Sequence, residues 1–469
     1  MRRLSTRTGL TRGILMSIGL VVGSIVLGRL LAMGDTRPIF LLIAGVIALA
    51  LLLNKELFVF SAVVVSVAVP TDWISGTLVG IPQVSLTRLL VLIGVIHVVR
   101  IALVRDRSVG LRSGPFDVPV LAYGVVSTVG MVMRPEMALH MWDHVIFAPV
   151  MLYIVFRVIS SESAVERTFS IAVITGGAIL SLSVILDQMA GVPLFANPFR
   201  PYDWMETPGT VFRPGGTLGQ PVRAATLCVL LLTWYPFALF KLGRSRRWLL
   251  WLALLLLAIG LTFTRAAWLS LVLVLPVYLL LMYGGRALAI ALPFAGAVSA
   301  WAISSLEGTR LTQAVLRPET LQYRMGLWGY AWGVFRNQSL PEALLGGGML
   351  VTRDPNYSAA FTLARSGTHN AYLTMFLEHG VVGVVSFMGV LASAIFAGFR
   401  AISQRDSLAH SAGLVLIGIT IVLAVTSFTS EIVRQYNVVS FTLISLAVLT
   451  TAVRDTEAEV SNEDRALQF

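Results

Sequence analysis

The sequence predicts an all-α polytopic membrane protein, and three observations carry that prediction. Of the 469 residues 56% are apolar and only 13% are charged, too few charges to solvate the surface of a soluble protein of this size. The apolar residues gather in runs of membrane length, about 20 residues being enough to cross a hydrocarbon core of roughly 30 Å. The joints between runs are short and basic or contain glycine.

Taken in order, the first group of apolar runs falls near 14–33, 38–53, 57–70, 86–104, 116–133, 144–160 and 169–189. A second group follows near 222–240, 248–264, 266–283, 288–304, 371–398, 410–428 and 436–453. Several are short, notably 57–70, so about twelve to fourteen transmembrane helices are expected. The leading MRRLSTRTGLTRG and Ile14 to Met33 resemble a signal peptide, but no clean small-residue cleavage pattern follows. An uncleaved first helix is the reading. Residues 454–469 are acidic with no apolar face, and a disordered cytoplasmic tail is expected there.

Basic residues orient the helices. Arg2, Arg3, Arg7 and Arg12 precede the first run, and alternate joints carry Lys55, Arg105, Arg107 and Arg112, Arg167, then Lys241, Arg244, Arg246 and Arg247. By the positive-inside rule these faces are cytoplasmic, and continuing the alternation puts both termini inside. The excess of 35 Lys plus Arg over 24 Asp plus Glu therefore suits anionic lipid headgroups, not nucleic acid. Cys228 is the only cysteine and lies in an apolar run, which excludes a disulfide framework or a cysteine metal site and leaves helix packing.

The organisation expected is transmembrane helices over 1–304 with an outer loop near 190–222, a large outer loop over 305–370, and C-terminal helices over 371–453. Outer here means periplasmic or extracytoplasmic. The long loop contains an amphipathic stretch, Leu321 to Val334, expected to form a short helix over the membrane surface.

These outer segments hold the candidate chemistry. The long loop carries Arg310, Arg317, Arg324, Arg336, Arg353 and Arg365, and the shorter one Arg200, Arg213 and Arg223. Long loops cross regardless of charge, so solvated surface is one reading; the other is an anion site, since guanidinium groups grip phosphate oxygens bidentately. Arg265, in LTFTRAAW, sits at the outer apex of a tight hairpin, where it either serves an anion or snorkels to headgroups. The glycines of FRPGGTLGQPVRAATL, residues 212–227, could present N–H groups to an anion at a helix start, or simply make the turn.

His369 opens the run SGTHNAYLTMFLEHGVVG at the outer surface. An imidazole there can act as general base towards a hydroxyl, or merely cap the helix. Glu378 would lie about 13 Å further along a straight helix, too far to orient His369 directly, and could instead bind a polar partner from elsewhere. His140 and His144 share a helix face with Asp143 and Glu136 nearby, a spacing permissible for a metal but with too few ligands. His97 and Arg88 lie within one apolar run, facing directions the sequence does not reveal.

The order RPGGTLGQP, TRAAW, YRMGLWGYAW, LLGGG and HNAYLTMFLEHGVVG resembles the bacterial O-antigen ligase and O-antigen polymerase superfamily over roughly residues 200–400. The ending His-Asn-x-Tyr-Leu with a later Glu and Gly, preceded by Arg-x-x-x-Trp and a glycine run, is its most specific part. Gln220-Pro221 departs from the Pro-Asn pair of many members.

The resemblance implies a GT-C-like membrane glycosyltransferase of the bacterial cytoplasmic membrane that needs neither metal nor other cofactor. Its donor would be a polyprenyl diphosphate-linked glycan and its acceptor a hydroxyl on a lipid A core, a growing glycan or another molecule. Membrane lipids would surround it. Arg265, Arg324 and Arg213 would bind the diphosphate and His369 would activate the acceptor, with Asn370, Tyr372 and Glu378 in support. Trp328 and Trp332 could stack on sugars or anchor the loop. Two other readings compete: a transporter or flippase for an anionic lipid-linked substrate, whose groups should lie near the midplane, and a scaffold for another membrane enzyme.

Overall fold

The computed structural model describes residues 37–69, 86–105, 113–160, 163–195, 212–243, 247–286, 318–353, 368–404 and 406–466, with isolated positions 245, 289 and 293. No strand occurs among them. The apolar run expected at 14–33, that at 288–304 apart from positions 289 and 293, and the arginines at 200, 310, 317 and 365 lie outside the described residues.

The first helices are α1 (Arg37–Leu53), α2 (Lys55–Ala68), α3 (Leu86–Arg105), α4 (Asp117–Val132), α5 (Pro135–Trp142), α6 (Ala148–Ile159) and α7 (Ser163–Ala190). A π-helical turn, Asp143–Phe147, joins α5 to α6. Then come α8 (Pro221–Thr233), α9 (Tyr235–Leu242), α10 (Arg247–Leu261), α11 (Arg265–Tyr283), α12 (Pro318–Arg336) and α13 (Leu340–Leu345). The chain closes with α14 (Ala371–Ser403), α15 (Ser407–Ser427) and α16 (Tyr436–Ala466).

Among the described residues seven helical stretches are long and apolar enough to cross a membrane, or eight if α8 and α9 form one span bent by 46°. Pro236 sits in the first turn of α9, where its missing N–H breaks the ladder and explains the bend. Helices α4 and α10 are apolar but shorter. The segment expected to be a loose tail continues α16 as helix to Ala466.

Burial separates central helices from lipid-facing ones. The span Tyr436–Val453 is 89% buried by its neighbours, whereas Arg265–Tyr283 is only 28% buried. Its uncovered side chains include Trp268, Leu269, Val272 and Leu273. A contiguous apolar face of that kind suits hydrocarbon, not water. Helix α16 packs on α2, α6 and α15, while α14 runs against both α15 and α4. Between α14 and α15 the backbones nearly touch: a Cβ on Gly413 would meet the Gly398 carbonyl oxygen at 2.6 Å. Small residues permit this approach, which supplies the packing energy that water cannot supply in a membrane.

Ion pairs mark one end of the bundle. Arg157 of α6 grips Asp117 at the head of α4 (Nε to Oδ1 2.9 Å, Nη2 to Oδ2 3.1 Å), and Lys241 of α9 pairs with Glu166 of α7. The opposite end gathers the tail of α7, the 212–220 loop, the α10–α11 hairpin, α12, α13, the head of α14 and the turn between α15 and α16. The candidate residues lie there.

Candidate functional site

The hairpin expected around Arg265 is present. Helix α10 ends at Leu261, Phe263 turns the chain with φ of 48°, and Arg265 is the first residue of α11, exposed, after Thr264 as N-cap. Arg213 reaches this hairpin from the neighbouring loop, donating from Nε to the Thr262 carbonyl (3.0 Å) and from Nη2 to Thr264 Oγ1 (3.1 Å). These bonds hold the Arg213 guanidinium beside Arg265. Burial, then Arg265 and Arg324, lower the pKa of Arg213 from its ordinary value, and burial and Arg265 lower that of Arg324. Arg213 thus senses the charges of both Arg265 and Arg324, and Arg324 that of Arg265; each stays charged but would gain from an anion beside it.

The loop holding Arg213 is fixed from α7. Asp187 accepts the N–H groups of Gly216 (2.8 Å) and Leu194 (2.8 Å), and Ser183 Oγ accepts that of Thr217 (2.9 Å). The N–H groups of Gly216 and Thr217, which the glycine pattern offered to a ligand, are therefore committed to side chains of α7.

Helix α12 contributes Arg324, half-buried, and Trp328. Trp328 Nε1 donates to the Thr368 carbonyl (3.1 Å), so this tryptophan anchors the loop, while Trp332 stacks on Phe335 with Arg336 over its ring. Thr368 in turn accepts the Asn370 N–H (3.1 Å) and bonds the Thr374 hydroxyl (2.7 Å), and Asn370 caps α14 through Leu373 N–H (3.1 Å). Between these anchors His369 adopts φ of 52°, a left-handed conformation that costs a non-glycine residue about 1 kcal/mol or more. Strain of this kind persists only where the surroundings over-determine it.

The remaining constraint comes from the turn between α15 and α16. Glu431 Oε1 accepts the His369 N–H (3.3 Å), and Glu431 Oε2 accepts from Arg434 Nη1 (2.5 Å). Arg434 Nη2 reaches Thr352 Oγ1 (2.7 Å) and Glu378 Oε1. Glu378 Oε1 also accepts the Leu350 N–H (2.6 Å). Burial disfavours the charged form of Arg434, but Glu378 and Glu431 outweigh it and hold its pKa above the ordinary arginine value. Burial and Arg324 lower the pKa of His369, with Glu431 opposing, so the imidazole is neutral at neutral pH.

Glycines let this network close. Gly380 breaks α14 with φ of 62°, and a Cβ there would sit 2.3 Å from the Leu344 carbonyl carbon. Gly346 likewise abuts the Glu378 backbone, and Gly347 N–H bonds the Leu377 carbonyl (2.8 Å). The glycine run after α13 thus lies directly against the Glu378–Gly380 kink.

Of the sequence candidates, Arg213, Arg265, Arg324, His369 and Asn370 come together, and Glu378 joins through Arg434. Tyr372 faces α15 instead, donating to the Ala424 carbonyl (3.2 Å) and packing on Phe428. The side chain of Arg353 is not described. His140 and His144 lie elsewhere: their rings meet edge-on at 4.6 Å, Asp143 pairs with Arg88 (2.8 Å), and His97 bonds the Leu51 carbonyl (2.9 Å). No group of three metal-ligating side chains occurs among the described residues. Sequence reasoning missed Glu431 and Arg434. The one available signal was two charges three residues apart in a short joint between apolar helices.

Residues 248–388 match the model of a family described as O-antigen ligase, a stretch that takes in Arg265, Arg324, His369 and Glu378. None of the curated proteins matches the chain. That family implies a glycosyltransferase-type enzyme of the inner membrane, working on a lipid-linked glycan donor and a glycan acceptor. Within the matched stretch the chain's glycine run, its His369-Asn370 segment and the hairpin Arg265 all fall at one end of the helix bundle. Residues 248–388 of this multi-pass membrane chain are thus similar to the O-antigen ligase family.

Proposed function

We propose that the protein transfers a glycan from a polyprenyl diphosphate carrier to a hydroxyl acceptor at the outer face of the cytoplasmic membrane. The observation that carries this reading is the convergence of Arg213, Arg265 and Arg324 beside an imidazole that burial and Arg324 keep neutral. His369 removes the acceptor hydroxyl proton as that oxygen attacks the anomeric carbon. The bond from that carbon to the diphosphate oxygen breaks, and the carrier diphosphate leaves with the electron pair. Arginines placed where this charge develops stabilise it, each worth about 10²- to 10³-fold in rate by analogy with oxyanion donors. Positive charge supplied by the chain itself suits a reaction that needs no metal.

The test is transfer by the full-length protein in nanodiscs, given a polyprenyl diphosphate glycan and an acceptor. His369→Ala should lower the rate by about 10²-fold or more, the usual contribution of a general base. Because the pKa of His369 is lowered, its neutral form persists below the ordinary imidazole range, and the rate should fall only as pH drops through that lowered value. Chelator should leave transfer intact. Full activity of His369→Ala would sink the base role, and loss of activity with chelator, restored by one divalent ion, would sink metal independence.

A further inference from the structure

The residues that keep His369 in place are on a different element from the motif that contains it. We infer that Glu431, clamped by Arg434, is the positioning residue that holds the His369 backbone in its left-handed conformation and sets a carboxylate beside the imidazole. The inference rests on the reading of His369 as the base.

Three observations support it. Glu431 is the carboxylate bonded to the His369 N–H, the peptide whose conformation is strained. Its second oxygen is fixed by Arg434, whose side chain is 5% exposed and which also binds Glu378 and Thr352. The carboxylate therefore has little freedom to swing away. Glu378 cannot take over the task, because it is engaged by Leu350 N–H and Arg434 further along α14.

The charges facing His369 then oppose each other. Arg324 on α12 disfavours the imidazolium and Glu431 on the α15–α16 turn favours it. Arg265 at the head of α11 in turn opposes the charge of Arg324, Arg213 from the 212–220 loop is opposed by both, and Arg434 partly neutralises Glu431. A base flanked only by arginines would be a poor proton acceptor. Glu431 keeps its basicity within a useful range and gives the imidazolium formed on proton transfer a counter-charge.

The experiment follows the protonation of His369 itself in the full-length protein in nanodiscs, by the pH dependence of diethyl pyrocarbonate modification resolved by peptide mass spectrometry. The reagent reacts with neutral imidazole. Removing the Glu431 charge should lower the pKa of His369, so Glu431→Gln should move its modification midpoint to lower pH. The acidic limb of the transfer rate should move the same way, and the maximal rate should fall by about 10- to 100-fold, as when supporting groups of a reactive residue are lost. Glu431→Asp, which draws the carboxylate back by one methylene, should shift the midpoint less but in the same direction, and it replaces the glutamine variant should that one fail to fold. A wild-type midpoint and rate in the folded variant would overturn the inference. The two ideas fail separately: activity surviving in His369→Ala removes the base role, yet the modification midpoint still reports whether Glu431 governs His369.

Discussion

At the scale of single residues, the site is organised around a buried cation, Arg434, that the motif does not contain. The His369–Asn370 pair, Glu378 and Gly380 were legible because their order along the chain carries the family pattern. Their partner was not, since Glu378 and Arg434 are 56 residues apart and no local periodicity links them. The distance along the helix left Glu378 open to a polar partner away from His369, and Arg434 is that partner. Truncating one member of a buried ion pair leaves the other charge unsolvated, at a cost of about 3–5 kcal/mol. Arg434→Met should therefore lower thermal stability of the purified protein by that order. Adding Glu378→Gln should restore much of the loss, because the isolated carboxylate is then gone. Equal destabilisation by the single and double variants would mean that Arg434 acts by packing alone.

At the scale of elements, helix positions were readable wherever an apolar run met a capping residue. Asn54 caps α2 through Leu57 N–H (3.0 Å), and Asp406 caps α15 through Leu408 N–H (3.1 Å), close to where the runs were expected to begin. The role of an individual aromatic was less readable, because stacking on a ligand and anchoring a loop use the same residue type. Trp328 is an anchor: its indole N–H holds the Thr368 carbonyl, immediately before His369. The glycine-rich 212–220 loop left two readings open for a related reason. Glycine pattern alone offers free N–H groups, and only the fold brings up Asp187 to accept them. Trp328→Phe keeps the ring against the small cluster of Leu327, Ala331, Val351 and Leu377 but deletes one hydrogen bond, worth about 1 kcal/mol. It should leave the fold intact and reduce transfer about fivefold by loosening His369. A variant with wild-type turnover would show that α12 positions the loop by packing only.

At the scale of the whole molecule, the distribution of charge makes a claim about orientation. The Lys241–Glu166 and Arg157–Asp117 pairs occupy the end opposite the arginine and His369 site, and Lys241 belongs to one of the basic joints that set the positive-inside assignment. Those short joints are the segments on which the rule acts, whereas the loop carrying Arg324 is long enough to cross despite its charge. The site should therefore face away from the cytoplasm, where a lipid-linked glycan already carried across the membrane would be met. The chain suits a direct test, because its only cysteine, Cys228, is fully buried in α8 and should resist a membrane-impermeant maleimide. Cysteine placed at exposed Gln322 on α12 should be labelled on intact spheroplasts, and cysteine at exposed Ser245, between α9 and α10, only after the membrane is opened. The reverse pattern would put the arginines and His369 in the cytoplasm and would remove the outer-face acceptor from the proposed reaction, leaving the geometry of the site itself untouched.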